Sequence, residues 1–219
     1  MTNSFTGHAL TCFRGERFVF ESLDFSVESG GALVLTGPNG SGKSSLIRIM
    51  ATLLTTVDGY MAWSGEPITD DPESHHARLH YVAYQDAIKP VMTVRENLAF
   101  WAGLKGSLGK IEAALEAVGI GRLADTPAQF LSSGQRRRLS LARLVASEAE
   151  LWLLDEPTVG LDRDAIGLLE GLVAAHRATG GMAVLATHQP IELGGDETRM
   201  DISVYTAKRQ IFDDAEAMQ

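Results

Sequence analysis

The chain has 219 residues, 28 acidic against 19 basic side chains for a net charge of −9, and one cysteine, Cys12. That length suits one domain with a substantial core, the acidic balance speaks against a broad nucleic-acid surface, and a lone cysteine excludes an internal disulfide and fits a reducing compartment. No apolar run is long enough to cross a bilayer and no basic-then-apolar leader is visible, so neither a membrane span nor a signal peptide is expected. Residues 9–13, 17–20 and 24–27 alternate apolar and polar side chains around Gly15, the pattern of antiparallel strands. Residues 32–36 are a short apolar run that reads as a buried strand. Gly37-Pro38-Asn39-Gly40-Ser41-Gly42-Lys43-Ser44 follows, with the Gly-x4-Gly-Lys-Ser spacing of a phosphate-binding loop. Beyond it Leu46, Ile49, Met50, Leu53 and Leu54 recur at helical spacing, so the loop lies between strand and helix, as the motif requires. Gly37, Gly40 and Gly42 let the backbone curl its N–H groups toward an anion, and the new helix presents its positive end to the same place. Lys43 suits the β- and γ-phosphates of a nucleotide, and the Ser44 hydroxyl suits Mg²⁺.

Residues 59–64 alternate again, with Met61 and Trp63 on one face and Gly65-Glu66-Pro67 closing the strand. Residues 70–80 are polar, acidic and His-rich and read as a surface connection; His75, His76 and His80 lack the Cys or carboxylate partners of a recognisable zinc pattern. A short strand at 80–84 delivers Gln85 at its end. From 92 to 147 the pattern turns helical. Thr93 and Glu96 have capping-box spacing, a helix is predicted over 111–118, and another over 134–146 has Leu139, Ala142, Val145 and Ala146 on one face. Leu131-Ser132-Ser133-Gly134-Gln135 places a hydroxyl and bare glycine backbone at that helix N-terminus, a second anion site. The basic run Arg136-Arg137-Arg138 beside it reads as structural or phosphate-facing charge. Residues 151–154 are an apolar strand ending in Asp155, suited to holding Mg²⁺ through water opposite Ser44. Glu156 follows, placed to take a proton from an attacking water. A helix over 164–178, a break at Gly180-Gly181 and a buried strand over 182–187 lead to His188. Gln85 and His188 both stand at strand ends from which a polar side chain can reach a γ-phosphate or the attacking water. Residues 202–206 and 210–212 read as a hairpin around Ala207-Lys208.

The order of these motifs resembles the ATP-binding-cassette (ABC) ATPases over essentially the whole chain. The resemblance implies an α/β fold, a P-loop NTPase cassette with a RecA-like core, an N-terminal antiparallel β subdomain and an α-helical subdomain at about 88–148, within one domain spanning 1–219. It implies ATP and Mg²⁺ as cofactors, with nucleotide held by Gly37, Pro38, Asn39, Gly40, Ser41, Gly42, Lys43, Ser44 and Ser45. Catalysis falls to Glu156, His188 and Gln85, and the metal to Ser44, Asp155 and Gln85, partly through water. Leu131, Ser132, Ser133, Gly134 and Gln135 match the signature, which acts on ATP held by a partner cassette, and Asp162 belongs to the D-loop at Gly160-Leu161-Asp162. A second copy of the chain is therefore an expected partner. Two positions depart from the family pattern. Ser133 stands where a glycine is usual, adding a side chain at a close approach to ATP, and Arg14 stands where an adenine-stacking aromatic is usual; a guanidinium plane also stacks on bases, so Arg14 or the neighbouring Phe13 is expected at the adenine.

One cassette without a long heptad insertion resembles the motors of membrane transporters, with a multi-span membrane subunit as partner docked near residues 88–101. The run from Tyr84 to Ala102, including Gln85-Asp86-Ala87-Ile88-Lys89 and Phe100-Trp101, is similar to the small ATPase subunits of cytochrome c maturation systems. That implies haem-handling subunits around the complex, a peripheral position on the cytoplasmic face of a bacterial inner membrane, and no nucleic-acid partner. Cys12 and the histidines form no haem-binding pattern. The alternatives are another small exporter and the soluble single-cassette ATPase of iron-sulfur cluster assembly.

Overall fold

The N-terminal alternation becomes two long strands, β1 (Ser4–Arg14) and β2 (Arg17–Glu28), in a computed structural model that describes residues 3–195 and 197–206. β1 bends at Ala9, whose φ is 49° and whose N–H donates to Asp24 Oδ1 at 2.8 Å across a shift in the β1–β2 register. β3 (Ala32–Thr36) occupies the predicted residues and leads through the glycine-rich loop into α1 (Lys43–Met50). The helix stops short of Leu53, which is 63% exposed: the chain turns out of it at Thr52, with φ 56°. β4 (Asp58–Trp63) and β5 (Glu66–Pro67) follow.

Residues 70–80 differ from the surface connection expected. They contain α2 (Pro72–Arg78), capped by Asp71 accepting from Ser74 N–H, and run into β6 (Leu79–Val82). His75 is fully buried against Phe5 and bonds Met50 O at 2.8 Å, and His80 is buried against Ser147 O at 3.0 Å. Each ring finds a carbonyl, which is how two polar side chains pass inside.

The helical insertion holds α3 (Val94–Leu104), α4 (Ile111–Ala117) and α5 (Ser133–Ala146). Capping boxes close α3 through Thr93 and Glu96 and α5 through Ser132 and Gln135, satisfying orphan amide groups at each helix start. β7 (Leu151–Asp155), α6 (Arg163–Ala178), β8 (Met182–Ala186) and β9 (Glu197–Asp201) complete the described chain. Residues 202–205 form a 3-10 turn capped by Asp201, not the strand expected there. The strand lies just upstream and pairs parallel with β3. The remainder of the expected hairpin, 207–212, lies outside the described residues.

Two sheets result: an antiparallel one in the order β2-β1-β4-β5 and a parallel one in the order β6-β7-β8-β3-β9. β3 before Thr36, β7 before Asp155 and all of β8 are apolar because both sheet faces are covered. Leu33, Leu35, Leu151, Leu153 and Val184 pack with α1 and the antiparallel sheet. Their alternates Val34, Trp152, Leu154, Ala183 and Leu185 pack with α6 and the helical insertion.

Candidate active site

Strand register assembles the site. Leu35 of β3 pairs with Ala186 of β8, and Ala186 pairs with Asp155 of β7, so three parallel strands end at one level. Residues just beyond those ends, the loop from Gly37, Glu156, and His188, therefore converge at the carboxyl edge of the sheet, where open α/β sheets bind ligands.

The loop is built around positive φ at Gly37 (124°), Gly40 (82°) and Gly42 (109°). A Cβ at Gly42 would stand 2.7 Å from Val19 Cγ1, so the antiparallel sheet itself enforces this glycine. α1 starts at Lys43, whose Nζ reaches back across the loop to Gly37 O at 2.7 Å and Pro38 O at 3.2 Å. Ser44 Oγ donates to Asp155 Oδ1 at 2.7 Å, which joins the helix start to the end of β7. Asp155 is fully buried, and its Oδ2 has no hydrogen-bond partner among the described residues. Burial pushes its carboxyl pKa up, opposed by the Ser44 hydrogen bond. A buried carboxylate oxygen left over beside a serine hydroxyl is the donor set a hard cation takes, so these residues fit Mg²⁺.

Glu156 adopts φ 48°, a conformation rare outside glycine, with its N–H held by Ala186 O at 2.8 Å. Its Oε2 stands 2.9 Å from His188 Nδ1. Lys43, Ser44, Ser45, Asn39, Gly40, Gly42, Glu156 and His188 line one cavity of about 830 Å³, with Arg14, Arg17 and Val19 from the β1–β2 turn forming another wall. Arg14 lies against the loop, 3.5 Å from Ser45 Oγ, whereas Phe13 packs edge-on against Phe18 and is absent from the wall. Pro38 contributes a carbonyl to Lys43, and Ser41 is buried inside the loop.

Gln85 is not brought into this cavity. It lines a neighbouring one of about 470 Å³ together with Ser133 and Gly160, while Tyr84 faces both. Nor do residues 131–135 line the cavity that holds Lys43 and Ser44: Leu131 is buried, Ser132 and Gln135 cap α5, and Ser133 is exposed. Asp162 caps α6 through Ala165 N–H at 2.8 Å and pairs with Arg138 at 3.3 Å.

The basic run divides into three separate tasks. Arg136 bonds Leu131 O, Arg138 joins Val118 O to Asp162, and Arg137 is buried between the segments carrying Gln85 and Glu156. Sequence reading did not separate Arg137 from its neighbours. The signal was available: Arg137, Leu141 and Leu144 are spaced i, i+4, i+7, and all three are buried.

Fold and site together define an ATP-binding cassette. Residues 20–159 match the family model described as ABC transporter. A putative ABC transporter ATP-binding protein from Pyrococcus furiosus superposes with a TM-score of 0.79 at 24% identity, covering 93% of this chain and 99% of that one. The cytochrome c biogenesis ATP-binding export protein CcmA of Rhodospirillum rubrum is 54% identical over 87% of this chain and 82% of its own length. The protein of the same name from Paramagnetospirillum magneticum is 51% identical over 91% and 94%. The chain belongs to the ABC transporter family and, within it, to that of these cytochrome c biogenesis ATP-binding export proteins.

Proposed function

We propose that the chain is the ATP-hydrolysing subunit of an ABC transporter complex serving c-type cytochrome biogenesis, of the haem-exporting type. The observation that carries the hydrolytic reading is the Ser44–Asp155 contact, with Asp155 Oδ2 spare, directly beside the Glu156–His188 pair. Lys43 and the loop N–H groups bind the phosphates of ATP, and Arg14 lies against the base. Mg²⁺, held by Ser44 and Asp155, supplies neutralising charge to the phosphates when bound. Glu156 accepts the proton of the attacking water, and His188 orients that carboxylate and faces the γ-phosphate. Gln85 enters the site by movement of its segment. Two copies assemble head to tail, with residues 131–135 of one completing the site of the other; that these residues do not line the cavity of their own chain supports this.

The membrane partner is a multi-span subunit, and the chain lies peripherally at the cytoplasmic face of the inner membrane among haem-handling subunits. Among the described residues no helix is long and apolar enough to cross a membrane. A cavity of about 460 Å³, lined by Leu53, Leu79, Tyr81, Trp101 and Leu104, supports docking of an apolar segment beside the 88–101 stretch. The test is MgATP hydrolysis by the chain with and without a co-expressed membrane subunit. Turnover that rises with the subunit and disappears in Lys43→Ala supports the reading. Turnover unaffected by Lys43→Ala refutes the site, and co-purification only with iron-sulfur assembly proteins refutes the transport role.

A further inference from the structure

Arg137 is 2% exposed, yet the hydrogen bonds its side chain makes among the described residues run to other segments of the chain. Its Nη2 donates to Glu156 O at 2.7 Å and Asp155 O at 3.3 Å, and its Nε to Pro157 O at 3.2 Å. Its Nη1 donates to Ala83 O at 2.9 Å and Asp86 Oδ1 at 3.1 Å. Asp86 is held a second time, by Ser140 Oγ at 2.9 Å, one turn further along α5.

Successive carbonyls of an extended strand point to opposite sides. The carbonyls of 155, 156 and 157 reach a common guanidinium because the chain turns at Glu156, the residue with φ 48°. The other edge of the same guanidinium holds Ala83 and Asp86, the residues that bracket Gln85. We propose that Arg137 is the positioning residue for hydrolysis: one buried fork that holds the unusual backbone of Glu156 and fixes the Gln85 segment in register with it. A planar guanidinium with donors on both edges can hold two segments at once. A lysine keeps the charge but places it at a single point and cannot span them. A movement of α5 relative to β7 therefore reaches Glu156 and Gln85 together. The proposal rests on the reading of Glu156 as the proton acceptor.

The test compares Arg137→Lys, Glu156→Gln, their combination and Asp86→Asn by steady-state MgATP hydrolysis, equilibrium binding of ATP and thermal unfolding. Arg137→Lys is expected to lower kcat by about 10–100-fold, the cost of misplacing a reacting group by about an ångström. KM and ATP affinity should stay within a few-fold. In the Glu156→Gln background the same substitution should lower the residual rate by less than it lowers the parental rate, because the part of its effect that passes through Glu156 has already been removed. Asp86→Asn, which leaves Arg137 and its carbonyl partners in place, should also lower kcat without lowering ATP affinity. Parental kcat in both Arg137→Lys and Asp86→Asn overturns the proposal. A full multiplicative effect of Arg137→Lys on top of Glu156→Gln, or equal losses of kcat and ATP affinity with a lowered unfolding temperature, also overturns it. Parental turnover in Glu156→Gln alone defeats the base reading, and the kcat of Arg137→Lys then decides whether the brace acts through Gln85.

Discussion

His80 ties acid sensitivity to one buried ring. It ends on Ser147, with Nε2 3.0 Å from both the carbonyl and the hydroxyl of that residue, and burial lowers its pKa from 6.5 to about 4. Well above pH 6.5 the imidazole is neutral whether the chain is folded or not, and it contributes no pH dependence. Between pH 6.5 and 4 the unfolded chain takes up a proton that the native state refuses, so stability falls as pH falls. The full loss is about 3 kcal/mol, at 1.36 kcal/mol per pKa unit, and about 2 kcal/mol of it has accrued by pH 5. In a chain of this size that corresponds to roughly 4–8 °C in Tm. His75 and His176, whose pKa values burial also lowers, act in the same direction. His80→Gln retains an N–H donor at about the position of Nε2 and does not titrate. Thermal unfolding followed by circular dichroism at pH 7.5 and pH 5 should therefore show a smaller fall for His80→Gln than for the parent, by that 4–8 °C. Parallel falls in the two proteins would refute the assignment of acid sensitivity to this ring.

Glu156→Gln keeps the shape of the side chain but removes the proton acceptor, so phosphate release should slow by about 10²–10⁴-fold while ATP binding persists; light scattering with MgATP should then detect an accumulating dimer. Asp155→Asn should instead weaken the Mg²⁺ dependence of nucleotide binding, read by titrating the metal at fixed ATP. Gly42→Ala should abolish ATP binding, because its Cβ meets Val19 and its φ is 109°; unchanged binding would show that the loop conformation is not required. Cysteines introduced at Lys89 and Val91, both exposed, should cross-link to the membrane subunit, and cross-links confined to a soluble protein would move the docking surface elsewhere.

The strands that build the site were legible because burial on both faces leaves an unbroken apolar run that stops at a polar residue, Asp155 at the end of β7 and Thr187 just after β8. The capping box at Thr93 was legible because it is local chemistry, whereas Ser132, which reads as part of an anion site, caps α5 together with Gln135. β9 was not: Glu-Thr-Arg-Met-Asp is an exposed edge, held by main-chain bonds to β3, and it carries no apolar alternation. The histidine-rich stretch misled for the opposite reason. His75 and His80 are core residues whose polarity is cancelled by Met50 O and Ser147 O, partners far away in sequence. Gln85 is expected at the end of a strand over 80–84, but β6 stops at Val82 and Gln85 lies in the bend beyond it; the direction of that segment depends on Arg137 and Asp86, contacts that no spacing rule supplies.

The central position of β3 carries a consequence for biosynthesis. Both of its neighbours, residues 183–186 and 197–201, lie far downstream, and Asp201 comes within 3.0 Å of where a Cβ on Gly37 would stand. A nascent chain that has already emitted the phosphate loop has no neighbour for β3 until β8 emerges, and the other edge of β3 stays open until β9 follows. Loop-closure entropy over that separation must be met before the sheet can form. The phosphate loop is therefore expected to stay protease-sensitive in chains released before β8 and to gain protection only once β8 and β9 have both paired with β3.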